Sequence, residues 1–250
     1  HVNDFKLVEW LYLPFDHTNI LNKLYKKDVA FDTRGGYPVE VVEKIVGFVD
    51  SDSELDCVVE RYIEEFLLAY FNSDNKPPRH EAEKILVDGW FRLLQASKNN
   101  FLVHYADFEM QSRNIFTALL GRKFNIAVAD SFVGDTDMIE ALKKNRTRDF
   151  GLSGEVNHFE LLLQVFEIAN LQEREMKLDL MRWNFFEEIT FFEYFTVEKI
   201  LSFVLKLFIV ERWNSLDEKQ GRELFEKLIA ELQDSYVFAE EYKFNHGKKR

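Results

Sequence analysis

Proline is nearly missing from this chain. All four prolines lie before position 79, and none occurs from Arg79 to Arg250. A proline inside a helix removes a hydrogen bond and clashes with the preceding turn, so long helices need long proline-free stretches. Glycine is also scarce, at 10 of 250 residues. These two shortages predict an almost entirely α-helical, all-α protein.

Cysteine and long apolar runs are scarce as well. The single cysteine, Cys57, has no partner for an internal disulfide, which fits a reducing cytoplasm. The most apolar segment, Ile200–Val210, is interrupted by Lys206 and is shorter than the roughly 18 residues of a membrane-spanning helix. We therefore expect a cytoplasmic protein that does not insert directly into a membrane.

Positive charge is in short supply. The chain has 32 Lys and Arg against 44 Asp and Glu, which gives a formal net charge of −12. Nucleic-acid binding needs a basic face that neutralises phosphates, and anionic lipid surfaces attract basic segments. We therefore expect neither nucleic acid nor an anionic membrane surface as a partner.

Phenylalanine, by contrast, is abundant, with 25 residues. Its side chain buries a large apolar area without a polar atom that needs a partner. Apolar positions recur at helical spacing in segments that begin at Phe159, Phe195 and Leu224. The rings are expected to form a thick, dry core or apolar faces kept for partners, and both readings stay open.

Glycine, proline and small polar residues mark four breaks between helical segments. The breaks are Asp32–Gly36, Asn72–Pro78, Val133–Asp135 and Arg146–Gly154. The second is the best candidate for a joint between bundles. It predicts an N-terminal helical bundle at 1–76 and one or more C-terminal bundles at 77–243, with a disordered basic tail at 244–250.

Two local signals concern where segments begin. Ser51–Glu54 and Ser215–Glu218 match the capping box, in which two side chains satisfy free backbone N–H groups at a helix start. The chain begins at His1 without an initiator Met, so we expect that the natural N-terminus is missing.

Motifs that carry chemistry are incomplete throughout. His80–Lys84 begins like a zinc-binding H-E-x-x-H but has Lys where the second His is needed. Glu155–His158 is a lone Glu-x-x-His, whereas di-iron bundles need two. Asp149–Gly151 spells a kinase triplet without the other kinase motifs, and no phosphate-binding G-x-x-x-x-G-K occurs. We therefore expect no enzyme activity, cofactor or metal.

The break near residue 150 is the best candidate for a partner contact. Arg146, Arg148, Asp149 and Phe150 lie among glycines in an otherwise acidic chain, and loops on helical scaffolds often carry function. The alternative is a polar connector whose arginines cap the preceding helix. A second open case is an aromatic series, which favours core packing over an interface: Trp183, Phe185, Phe186, Phe191, Phe192, Tyr194 and Phe195.

A long resemblance runs from about Trp10 to Leu232. Its residues are Asp107–Lys123, Val133–Asp135, Thr147–Glu155, Thr190–Thr196 and Glu211–Asp217. In these stretches the chain resembles a family of uncharacterised bacterial proteins, mostly from Bacteroidetes, that are encoded among V-type ATPase subunits. That family is in turn similar to the C subunit of rotary ATPases, called d in eukaryotes.

The resemblance to the C subunit rests on a repeated pattern. Asp16–Leu24 and Ser112–Lys123 both carry Asn followed by an apolar residue in a helix that ends in basic residues. Their separation of about 95 residues suggests an internal duplication. A third copy near Glu211–Asp217 is degenerate, and the apolar, strand-like start of the family is missing before His1.

The resemblance implies a funnel of helical bundles that seats the central stalk on the membrane rotor ring and transmits torque without chemistry. The leading hypothesis is a non-catalytic subunit or accessory protein of a V-type ATPase, cytoplasmic and peripheral to the membrane through that complex. Its expected partners are the central stalk and the rotor ring. The alternatives are a helical scaffold or adaptor unrelated to the ATPase and, less favoured, a helical hydrolase or metal enzyme.

Overall fold

A computed structural model describes residues 2–47, 59–152, 154–216, 222, 223 and 226. These residues contain nine α-helices and one short 3₁₀ helix, and no strand is found among them. The predicted all-α fold class is therefore confirmed. Several predictions lie outside the described residues: the capping box Ser51–Glu54, Cys57, Glu218 of the second box, the apolar stripe from Leu224 and the basic tail at 244–250.

The described helices differ widely in length. In order they are α1 (Val2–Leu24), α2 (Val39–Gly47), α3 (Arg61–Asn72), α4 (Arg79–Gln95), α5 (Asn100–Phe124), α6 (Asp137–Lys144), α7 (Phe159–Glu167), α8 (Leu171–Ile189) and α9 (Val197–Leu216). The short 3₁₀ helix, Ala129–Ser131, lies between α5 and α6. None of the described helices combines the length and the apolar character needed to cross a membrane.

The order long, short, short, long occurs twice, in α1–α4 and again in α5–α8. The short second helix packs on the long first helix in both sets, α2 on α1 and α6 on α5. The third helix also packs on the fourth in both sets, α3 on α4 and α7 on α8, while α4 and α5 join the sets. This recurrence supports the duplication that the sequence suggests.

The described residues up to Ser202 form one compact unit, and those from Phe203 onward form a second. The first unit includes helices on both sides of the Asn72–Pro78 break, where α3 and α1 both pack against α4. The boundary at residues 76 and 77 stays a prediction, as does the resemblance to the C-subunit fold.

The second helix set surrounds an apolar core. Phe159 and Leu162 of α7 are fully buried, and Ile115 of α5 faces the same cluster. Phe108 stacks on Phe185 of α8 with ring centroids 4.1 Å apart. Because these rings carry no polar atom, their burial stabilises the fold without requiring partners for buried polar groups. The core fixes the end of α5 and the loop after α6, where the candidate site lies.

Proline inside the first helix is accommodated by a tertiary hydrogen bond. Pro14 lies within α1 and has no N–H to donate to the carbonyl of Trp10, four residues earlier. The indole N–H of Trp90, on α4, donates to that carbonyl at 2.8 Å. The acceptor freed by the proline is thus satisfied from another helix, and the contact fixes α1 against α4.

Candidate functional site

The predicted partner loop is held in place by one arginine from α5. The guanidinium of Arg122 lies over the ring of Phe150, 3.8 Å from its centroid. It also donates hydrogen bonds to the carbonyls of Thr147 at 2.8 Å, Arg148 at 3.3 Å and Asn145 at 3.3 Å. Asn145 is the C-cap residue of α6, so Arg122 adds a cation from α5 to the two lysines in the last turn of α6.

The four predicted contact residues do not share one role. Arg146 is exposed beside an open groove. Arg148 forms an ion pair with Glu167 at 3.1 Å, and Phe150 is buried in the core with a positive φ of 53°. The Asp149 carboxylate accepts hydrogen bonds from the hydroxyl of Thr147 at 2.8 Å and the backbone N–H of Gly151 at 3.0 Å. Asp149 therefore shapes the turn, and Phe150 anchors it.

The groove has a volume of about 540 Å³ and combines an apolar floor with basic side chains. Its floor includes Phe132, Leu142 and Phe150, all buried, while its three charged lining residues, Arg122, Lys143 and Arg146, are cations. We call it the basic groove. Its character is opposite to the net charge of the chain, so its local field attracts anionic groups.

An asparagine clamp fixes the loop that approaches the groove. The side-chain amide of Asn114 donates to the carbonyl of Val133 at 2.8 Å and accepts from its N–H at 2.9 Å. The next N–H, that of Gly134, donates to the Asp88 carboxylate at 2.6 Å. Both Asn114 and Val133 are completely buried, so these bonds replace the water that their polar groups lose.

The first helix set contains the same clamp. Asn19 donates to the carbonyl of Asp32 and accepts from its N–H, both at 2.9 Å. The buried carboxylate of Asp16 accepts from the N–H groups of Gly36 and Tyr37, both at 3.0 Å. Burial raises the pKa of Asp16 to about 6, although the two N–H groups oppose the rise.

His17 lies beside this clamp in a buried polar pair. Its Nε2 atom is 2.6 Å from the hydroxyl of Tyr62, and burial lowers its pKa to about 3. Perturbed pKa values often mark functional sites. Here both His17 and Asp16 are almost inaccessible to solvent, and each is hydrogen-bonded to the first helix set or its loop. The perturbed pKa values of both groups therefore reflect burial inside the first helix set.

The lone Glu-x-x-His does not converge on one point. Glu155 is exposed, whereas His158 is half-buried against the ring of Phe108 and lies 3.3 Å from the hydroxyl of Ser112. Within the described ranges, no group of three or more His, Cys, Asp or Glu side chains is arranged to hold a metal ion.

The aromatic series divides at the end of α8. Phe185 and Phe186 belong to the helix and pack with core rings. In the turn that follows, four rings are exposed, and we call them the aromatic turn: Phe191 (61%), Phe192 (84%), Tyr194 (70%) and Phe195 (107%). Core packing thus describes Phe185 and Phe186, and an interface at the four exposed rings stays a prediction.

Comparison with known proteins gives one match. A family model described as a protein of unknown function, DUF2764, matches residues 2–236. No curated protein and no solved structure matches the chain.

Proposed function

We propose that this chain, which belongs to the DUF2764 family of proteins of unknown function, is a non-catalytic subunit or accessory protein of a V-type rotary ATPase. In this role it couples the central stalk to the membrane rotor ring. We choose the V-type ATPase as the partner complex because residues Trp10–Leu232 resemble proteins encoded among V-type ATPase subunits. The proposal of a binding role rests on a separate observation about the surface.

That observation is the aromatic turn. Phe192 and Phe195 are 84% and 107% exposed, and Phe191 and Tyr194 are also mostly in solvent. Together the four rings expose on the order of 600 Å², comparable to the largest apolar patch of a typical monomer. Exposing such rings is unfavourable for an isolated chain, whereas burying them against a partner is favourable by roughly 25 cal/mol per Å².

The position of the turn suits a docking role. It follows α8, whose own rings pack in the core, so the exposed rings project from a fixed helix end. The hydroxyl of Thr190, at that end, donates to the carbonyl of Phe186 at 2.7 Å. Lys199 of α9 forms an ion pair with Glu187 of α8 at 3.6 Å and braces the other side. A coupling subunit needs such rigid attachment because a flexible contact would dissipate torque.

The direct test is purification of the tagged chain at low salt from cells that encode it. We expect subunits of the rotary ATPase stalk or ring to be recovered with it and identified by mass spectrometry. Their absence would contradict the proposal. Recovery of a consistent but different set of proteins would favour the alternative of a helical adaptor unrelated to the ATPase.

A matched pair of variants tests whether the aromatic turn is the docking surface. The double variant Phe192→Ser, Tyr194→Ser should lose the co-purified subunits, because it removes two exposed rings. The variant Val29→Ser changes an apolar residue outside the turn that is 64% exposed, and should retain them. Equal recovery with both variants would show that the aromatic turn is not the docking surface.

A further inference from the structure

We propose that the basic groove binds a segment of a partner protein in which carboxylates flank an apolar side chain. The inference rests on the proposed function only in assuming that the chain works through other proteins. It adds a second binding surface, separate from the aromatic turn, and states the chemistry of its occupant.

The charge of the groove lining is opposite to the net charge of the chain. The chain carries a formal charge of −12, yet the charged side chains that line the groove are Arg122, Lys143 and Arg146. The nearby acid Glu140 lies 3.5 Å from Lys143 but only 2.7 Å from Lys144, which takes the stronger pair. Asp149, which accepts hydrogen bonds from the turn hydroxyl and N–H, is not among the lining residues. The lining itself therefore carries three cations and no carboxylate, which favours an acidic ligand.

The guanidinium of Arg122 is held in position before any ligand binds. Arg122 has five N–H donors, and its hydrogen bonds to the three loop carbonyls occupy three of them. Its guanidinium is also stacked on Phe150. A cation already fixed in position loses little side-chain entropy when a carboxylate binds, so its contact contributes more than that of a mobile lysine.

An exposed apolar side chain favours a peptide over a small anion as the occupant. Ile126 lines the groove with 61% of its surface exposed, whereas the lining residues Phe132, Leu142 and Phe150 are already buried. A free phosphate would leave Ile126 in water. A protein segment that places an apolar side chain against Ile126 and its carboxylates on the cations satisfies both parts of the groove.

The helix that builds the groove extends further than its counterpart in the first set. After its clamp asparagine, α1 ends at Leu24, whereas α5 continues about one turn further, to Phe124. The added turn of α5 carries Arg122, which builds the groove wall and holds the loop. The two sets thus share the clamp, while the helical turn that carries Arg122 belongs to α5, as expected if one copy of a repeated unit acquired a partner.

The test uses the full chain and a fluorescent helical peptide with leucines on one face flanked by glutamates. We expect saturable binding with a dissociation constant on the order of 10–100 µM, measured by fluorescence anisotropy. A matched peptide with glutamine in place of each glutamate should bind about tenfold more weakly. Absence of saturable binding up to about 1 mM, or equal binding of both peptides, would overturn the proposal.

Two charge reversals in the same loop locate the site. Arg146→Glu, which changes a groove residue, should weaken binding about tenfold. Arg148→Glu makes the same charge change at a residue that pairs with Glu167 outside the groove lining, and should change binding less than about twofold. Circular dichroism checks that both variants are folded. If both variants weakened peptide binding equally, the net charge of the chain would explain the binding, and the proposed site would be wrong.

Competition and co-purification separate the remaining outcomes. If millimolar inorganic phosphate displaced the glutamate peptide as well as excess unlabelled peptide did, the groove would be a simple anion site and the proposal would be wrong. Recovery of ATPase subunits by the Arg146→Glu variant, together with failed peptide binding by the wild-type chain, would overturn the groove proposal and leave the proposed function standing.

Discussion

Asn19 and Asn114 make the same contact in two different places. Each uses its side-chain amide to pair with both the N–H and the carbonyl of one loop residue, Asp32 in the first helix set and Val133 in the second. Both asparagines lie in the long first helix of their set, about 95 positions apart. A repeated pair of hydrogen bonds at matching places indicates that the duplication extends to individual side chains.

Replacing either clamp asparagine should therefore be costly. Asn114→Ala removes two hydrogen bonds and leaves the buried N–H and carbonyl of Val133 without partners, which costs about 2–4 kcal/mol. Asn19→Ala should have a similar effect. Asn214, in the degenerate third copy, is exposed, so Asn214→Ala should change stability by less than about 0.5 kcal/mol. Urea denaturation measures all three, and a small loss for Asn114→Ala would contradict the clamp.

A break between helices can be predicted from the sequence where glycine or proline marks it. Each of the four predicted breaks contains non-helical residues of the structure, for example Asp32–Gly36 between α1 and α2. The breaks at 96–99 and 168–170 contain neither residue and were missed. Their signal was Asn99 and Asn170, whose side chains accept the N–H of Leu102 and Glu173 as N-caps.

Gly89 in α4 is required by a close aromatic contact. A Cβ atom at this position would lie within 3.0 Å of three atoms of Tyr62, whose hydroxyl is tied to His17. We expect Gly89→Ala to destabilise the protein by about 1–3 kcal/mol, although alanine normally favours a helix by about 1 kcal/mol. Gly47→Ala in α2 meets nothing within 4 Å and should be neutral or slightly stabilising. Thermal denaturation of both variants distinguishes the steric effect from propensity.

The contact between Trp90 and the carbonyl of Trp10 should depend on Pro14. Trp90→Phe leaves that carbonyl without its donor, at a cost of about 1–2 kcal/mol beyond the lost packing. Pro14→Ala supplies a backbone N–H that can donate to the same carbonyl within α1. The hydrogen-bond part of the Trp90→Phe loss should therefore shrink by about 1 kcal/mol in the Pro14→Ala background. Strict additivity in a double-mutant cycle would show that the two residues do not share this acceptor.

The adjacent residues Asp16 and His17 should give opposite pH dependences. His17 has a lowered pKa, so the unfolded chain binds its proton first and stability falls as pH drops below about 6.5. Asp16 has a raised pKa, so the folded chain binds its proton first and stability falls as pH rises from about 4 to 6. In the wild type the two effects largely offset each other between these limits.

Single variants separate the two effects. Between pH 7 and pH 4.5, Asp16→Asn should lose about 2 kcal/mol more stability than the wild type, because the unfavourable His17 contribution remains alone. His17→Gln should lose about 2–3 kcal/mol less than the wild type. Each is measured by urea denaturation at both pH values relative to the same variant at pH 7. Parallel behaviour of the two variants would contradict the burial of these groups.

The candidate site was less predictable than the helices. The sequence singled out Arg146, Arg148, Asp149 and Phe150 because unusual residues cluster there, but their neighbours in space are set by packing. The ring of Phe150 lies in the apolar core, and the guanidinium of Arg122, 28 positions earlier in the chain, covers it. The aromatic series was similarly ambiguous, because the sequence does not mark the end of α8. The helix ends at Ile189, and helical spacing does not apply to the rings after it.

The central claim, docking onto a rotary ATPase, is tested most directly by photo-crosslinking in cells that encode the chain. Phe192→p-benzoylphenylalanine places a photoreactive ring of similar shape on the aromatic turn, and Val29→p-benzoylphenylalanine is the control at another exposed apolar position. We expect light-dependent adducts at position 192 with a subunit of the ATPase stalk or rotor ring, and far fewer at position 29. Adducts at position 192 only with unrelated proteins, or none from a folded chain, would contradict it.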